Sequence, residues 1–147
     1  MSTAYASTII DAPLAKVWAH IRNFGAVAAY NPAAAKTSLD GAASGDQVGS
    51  VRSVSMPDGV VVRERLLALS DVDHSATYTV EIDGATFTNA VSTVRLLPVT
   101  DRNVTFIEWT AGFDAADLSA AATLREHLVN DIFADLFRGI RALVAVK

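Results

Sequence analysis

An α+β domain, with helices on one face of an antiparallel sheet, is what the apolar periods of this 147-residue chain predict. Two β-branched runs, Val48 to Met56 and Val60 to Leu69, flank Pro57-Asp58-Gly59. That triplet suits a type I turn followed by a left-handed glycine, the loop of a three-residue hairpin. From Ala76 to Ile82 apolar residues alternate with Thr77, Thr79 and Glu81, so one face of that strand is dry and the other wet. From Asp117 to about Val146 a stripe of Leu124, Leu128, Ile132, Leu136, Ile140 and Leu143, widened by Val129, Phe133 and Phe137, recurs at helical spacing. At ~1.5 Å per residue this helix is roughly 43 Å long. A sheet of five to seven strands is the partner broad enough to cover it.

The remaining elements follow in chain order. Ala4 to Asp11 reads as a first strand, and Pro13 suits the first turn of a helix, where its missing N–H costs nothing. Val17, Trp18 and Ile21 fall on one face of that helix, which Phe24-Gly25 ends. Ala26 to Tyr30 is a second short helix, stopped by Pro32. Asp40 to Asp46 is a small polar loop, and Asp83-Gly84 is a turn. Thr86 to Leu97 and Val104 to Phe113 are two further strands, separated by Pro98 to Asn103. Asp117 or Asp114 caps the long helix. Residues 1–147 form one domain, with neither repeat nor linker.

Composition narrows the function. Apolar residues make up 51% of the chain and charged ones 19%, and the net charge is −4. With no basic cluster, binding to nucleic acid through phosphate neutralisation is not expected. There is no cysteine, which removes disulfides, thiolate catalysis and cysteine-ligated metals. His20, His74 and His127 stand far apart, with His127 on the outer face of the long helix, so no metal site is expected. Nucleotide and serine-hydrolase motifs are missing, and no cofactor is expected. Neither a secretory signal nor a stretch of ~18 apolar residues is present, and a cytoplasmic protein is expected.

Strand parity selects the interior. In the second run Val60, Val62, Leu66 and Ala68 share a face with Glu64, whereas Arg63 and Arg65 share the other with Val61, Leu67 and Leu69. The face holding two arginines is the wet one, so Glu64 points inward. Counting across the turn pairs Met56 with Val60, Val54 with Val62 and Arg52 with Glu64. Side chains directly opposed in this way are about 4.5–5.5 Å apart at Cβ. Two readings stay open for Arg52 and Glu64: a buried structural ion pair, of small net stability, or a general acid–base group. Tyr78 and Val80 are inward by alternation, and Tyr78 is a pocket wall or a hydrogen-bond donor to a carbonyl oxygen. If Arg95 faces out, Ala90, Ser92 and Val94 face in, and Ser92 is a small filler or a donor. Trp109, Ala111 and Phe113 are inward, as core or as a stacking surface for a planar ligand. Lys36 lies on a strand with Thr37, Ser38 and Leu39, and is solvated, binds a carboxylate or, if desolvated, forms a Schiff base. Arg125 interrupts the apolar arc of the long helix, at a cavity mouth or merely snorkelling.

The order of elements and these motifs resemble the START-like, or helix-grip, superfamily, in particular its polyketide cyclase/dehydrase branch. The residues that carry the resemblance are Asp11-Ala12-Pro13 with Val17-Trp18, Asn23-Phe24-Gly25, Tyr30-Asn31-Pro32, Val48 to Arg52, Asp58-Gly59, Glu64-Arg65-Leu66, and Trp109 with Phe113. The resemblance implies a curved antiparallel sheet of about seven strands around the C-terminal helix, with two short helices after the first strand. It also implies a long cavity for a hydrophobic or aromatic ligand. Plant abscisic-acid receptors are similar in layout. By that similarity Lys36, Glu64 and Ser92 fall where the receptors keep a pocket lysine, glutamate and serine. The receptor gate is replaced by the shorter Ser55-Met56-Pro57-Asp58-Gly59, the His-Arg-Leu latch is absent from Asp83 to Thr88, and Trp109 stands where an acid is expected.

The expected function is conversion of a hydrophobic, aromatic or polyketide-derived small molecule by cyclisation, dehydration or a related acid–base rearrangement. Glu64, Arg52 and Tyr78 are the expected catalytic residues. The ligand wall is expected to be Lys36, Val54, Met56, Val62, Val80, Ala90, Ser92, Trp109, Phe113, Leu128, Ile132 and Leu136. The alternatives are a non-catalytic carrier and an interaction module with a filled interior. The protein is expected to act as a monomer or homodimer.

Overall fold

Seven antiparallel strands form one curved sheet in a computed structural model that describes residues 1–41 and 44–145. Ala42 and Ala43 of the expected loop, and Val146 at the expected helix end, lie outside the described residues. The strands are β1 (Ser2–Ile10), β2 (Lys36–Leu39), β3 (Val51–Ser55), β4 (Val61–Ser70), β5 (Ser75–Ile82), β6 (Phe87–Val99) and β7 (Val104–Ala115), in the order β1-β7-β6-β5-β4-β3-β2. Between β1 and β2 lie α1 (Leu14–Ile21) and a 3₁₀ segment (Phe24–Ala29). After β7 run α2 (Leu118–His127), a π-helical turn (Leu128–Phe133) and α3 (Ala134–Ala145), together a 28-residue helix. This is the helix-grip arrangement. No helix among the described residues is long and apolar enough to cross a membrane.

Turn chemistry fixes the β3–β4 register. Gly59 takes a φ of +92°, its N–H donates to the Met56 carbonyl at 3.0 Å, and the Met56 N–H donates to the Val60 carbonyl at 2.8 Å. Glycine adopts this left-handed backbone without the Cβ clash other residues meet. Val54 then pairs with Val62 and Arg52 with Glu64. Two expectations here need correction. β3 begins at Val51 rather than Val48, because Gly49 turns left-handed at φ +93° and leaves Val48 exposed. In β4 the register against β5 shifts between Leu66 and Ala68. Beyond that bulge the parity inverts, so Ala68 faces solvent and Leu69 packs towards the core.

The long helix is not a single regular spiral. Ala121 and Leu124 pack into the core before the π-helical turn, Leu128 and Phe133 at its two ends, and Leu136, Phe137, Ile140 and Val144 after it. One extra residue in a turn rotates everything that follows by ~100°. The apolar stripe is therefore two offset stripes. Asp117 caps the helix, its carboxylate accepting from the Ala120 N–H at 2.8 Å. Asp114 instead accepts from the Asn89 side chain.

Near the other end of the domain, Asp71 ties α1 to the β4–β5 turn. Its carboxylate accepts from Arg22 Nε at 2.9 Å and from Trp18 Nε1 at 2.8 Å. The Arg22 guanidinium first, then the Trp18 N–H, lower its pKa to about 2. A carboxyl depressed in the folded state stabilises the fold fully above its unfolded pKa of ~3.9 and loses that contribution as pH falls through the folded value. Urea midpoints of the native chain should therefore exceed those of Asp71→Asn above about pH 4 and converge with them near about pH 2. A constant gap across that range would show that Asp71 acts through shape and not charge.

Candidate functional site

A cavity of about 190 Å³ lies between the sheet and the long helix. β3, β4 and β5 send in Arg52, Val54, Val62, Glu64, Tyr78, Val80 and Ile82, with Met56 from the hairpin loop. β6 and β7 add Phe87, Ser92 and Trp109. The helix closes it with Leu124, His127, Leu128, Ile132, Phe133 and Leu136, and Val27 and Asn31 complete the wall.

The wall is mostly apolar, and its two buried charged side chains are Arg52 and Glu64. Glu64 and Arg52 are 9% and 2% exposed. Arg52 Nε donates to Glu64 Oε1 at 2.7 Å and its Nη1 donates to the Phe24 carbonyl at 2.9 Å. The guanidinium also lies 3.8 Å from the centre of the Phe24 ring and 4.8 Å from that of Tyr78. Arg52 is thus held by four groups, a carboxylate, a carbonyl and two aromatic rings. Burial pulls its pKa down, but Glu64 and the nearby phenols of Tyr30 and Tyr78 outweigh that and raise it. The guanidinium is a permanent charge.

Tyr78 Oη accepts from Trp109 Nε1 at 3.0 Å. Burial first, and the Glu64 carboxylate second, push the Tyr78 phenol well above its usual value. It stays a proton donor at neutral pH. With its oxygen engaged by the indole, its own hydrogen has no acceptor among the described residues and is available to a ligand. Tyr30 is buried beside the pair and its phenol is likewise raised, by burial.

The cavity wall includes Arg52, Glu64, Tyr78, Val54, Met56, Val62, Val80, Ser92, Trp109, Leu128, Ile132 and Leu136. Three expected wall residues lie elsewhere. Lys36 is exposed, because β2 turns Thr37 and Leu39 towards the protein and Lys36 and Ser38 away. A lysine on an edge strand deters pairing with another chain. Ala90 and Phe113 line a separate void of about 40 Å³ beside the main one, sharing Val80, Phe87, Ser92, Leu124 and Leu128 with it. Arg125 is at no mouth: its Nε donates to the Thr3 carbonyl on β1. His127 also departs from expectation. It is exposed, yet it edges the cavity. The sequence-based wall did not include Val27, Asn31, Ile82, Phe87, Leu124, His127 or Phe133. The Tyr30-Asn31-Pro32 motif was the available signal for Asn31; parity across the Thr88/Val91 bulge hid Phe87.

Comparison with known proteins agrees with this fold. The family model described as polyketide cyclase/dehydrase and lipid transport matches residues 1–145. A protein of Nitrosospira multiformis is 26% identical, with a TM-score of 0.80 over 95% of this chain and 94% of that one. XoxI of Bacillus cereus is 23% identical, with a TM-score of 0.83 over 99% and 97%. Ginseng major latex-like protein 151, from Panax ginseng, is 20% identical, with a TM-score of 0.76 over 95% of each chain. The latter two likenesses speak for the fold alone. No curated protein sequence matches significantly. With a family match over nearly its whole length, and a sheet gripping a helix around an apolar cavity, this chain belongs to the polyketide cyclase/dehydrase and lipid transport family.

Proposed function

We propose that the protein admits a hydrophobic, aromatic or polyketide-derived small molecule to this cavity and catalyses its cyclisation, dehydration or a related acid–base rearrangement. The observation that carries the reading is that the Arg52–Glu64 pair, with Tyr78 against the guanidinium, lines a mostly apolar cavity. Arg52 engages one Glu64 oxygen and leaves the other to take a proton from carbon next to a substrate carbonyl. Tyr78 donates to the carbonyl oxygen as it gains charge. The apolar wall holds one conformer of the substrate, which supplies much of the rate. A void of roughly 150 Å³ takes a benzene, so about 190 Å³ matches one or two rings without rearrangement.

The test uses 2-tetralone, a two-ring ketone with exchangeable α-hydrogens. The native protein should accelerate its hydrogen–deuterium exchange in D₂O, read by NMR. Glu64→Gln should lower that rate about 100-fold, the scale of a lost general base, with affinity within threefold of native. A second reading, a non-catalytic carrier, draws on the fact that Arg52 and Glu64 already satisfy each other. Tight binding with no exchange above buffer would select it.

A further inference from the structure

We infer that His127, oriented by Asp131, is a second polar contact for the ligand, placed at the cavity mouth and suited to an acidic oxygen, phenolic or carboxylic. The inference rests on the cavity-binding reading above and adds the position and chemistry of the ligand's other end.

His127 and Leu124 line both the main cavity and a shallow groove on the outside, formed with Thr86, Asp117 and Thr123. A residue shared by inside and outside stands at the mouth. The His127 side chain is 55% exposed and Asp131 64%, and His127 Nδ1 lies 2.8 Å from Asp131 Oδ2. A carboxylate at Nδ1 fixes that nitrogen as the donor. In the neutral ring Nε2 is then the acceptor. An acceptor at the rim of the cavity matches a ligand hydroxyl acidic enough to donate strongly. The packing of the described residues does not require the pair. Both residues are on one helix, one turn apart, and an exposed pair of that kind contributes little to stability. His127 ends α2 where the π-helical turn begins, and such turns are frequent at functional sites. The ligand implied is amphipathic, with its carbonyl at the Arg52–Glu64 end and an acidic hydroxyl at the mouth.

The experiment compares naphthalene with 2-naphthol by titration calorimetry, on the native chain, His127→Leu and Glu64→Gln. The native protein should bind 2-naphthol at least tenfold more tightly than naphthalene. His127→Leu should bring 2-naphthol to within threefold of naphthalene and leave naphthalene unchanged, and Glu64→Gln should keep most of the difference. Equal native affinities overturn the inference. So does a preference for 2-naphthol that survives in His127→Leu and disappears in Glu64→Gln, which would place the hydroxyl at the inner end and leave the cavity reading intact. If neither probe binds the native protein, the cavity reading falls and this inference falls with it.

Discussion

Arg52→Met should lower the free energy of unfolding by about 3–5 kcal/mol, the cost of leaving a buried charge without its partner. A domain of this kind has about 5–15 kcal/mol in all, so the loss is a large fraction of the total. Methionine keeps an unbranched side chain against the Phe24 and Tyr78 rings, and what it cannot replace is charge and donors. Glu64, 9% exposed, loses the guanidinium 2.7 Å away, and the Phe24 carbonyl loses its donor at 2.9 Å. Urea unfolding at pH 7 measures the effect. The double variant Arg52→Met/Glu64→Leu should recover most of it, because two apolar side chains of similar volume remove the desolvation cost together with the attraction. A double variant as unstable as the single one would make the pair a structural necessity and remove the reason for seeking chemistry there. A single-variant loss below about 1 kcal/mol would mean that the carboxylate reaches water easily, and the cavity end would not be dry.

The inward placement of this pair was legible because strong local signals agreed. Pro57-Asp58-Gly59 dictates a three-residue loop, and loop length dictates register, so Arg52 and Glu64 followed by counting. Tyr78 and Trp109 followed from alternation. Failures came where one residue is inserted without a compositional mark. Nothing in Leu66-Leu67-Ala68 announces a bulge, yet it reverses Ala68 and Leu69. The π-helical turn is the same event in a helix. A single helical period centred on residues 124 to 143 puts His127 opposite the stripe. Centred on Ala121, Leu124 and Leu128 alone, it puts His127 about 100° from the middle, on the flank that meets the cavity. Lys36 failed for another reason. A four-residue edge strand has too short an alternation to fix its parity, and only a resemblance to receptors argued that the lysine pointed inward.

Gly139→Ala should destabilise the fold by about 2–3 kcal/mol although it removes a glycine from a helix interior, a change worth up to ~1 kcal/mol in the opposite direction. The apolar spacing of the long helix says nothing special about this position. In the structure α3 lies directly against the segment that follows the 3₁₀ turn. A Cβ on Gly139 would overlap the Tyr30 carbonyl oxygen and come within 3.1 Å of Pro32 Cδ. The obstacle is backbone, so no rotamer change relieves it; either the helix or the Tyr30-Asn31-Pro32 segment must move. That segment carries Asn31 of the cavity wall and Tyr30, buried beside Arg52. Displacing it moves part of the cavity wall. Urea unfolding should show the loss, and naphthalene should bind at least threefold more weakly in the variant. Stability equal to or above native would mean that the helix slides without cost, and that close packing at Gly139 does not set the width of the cavity.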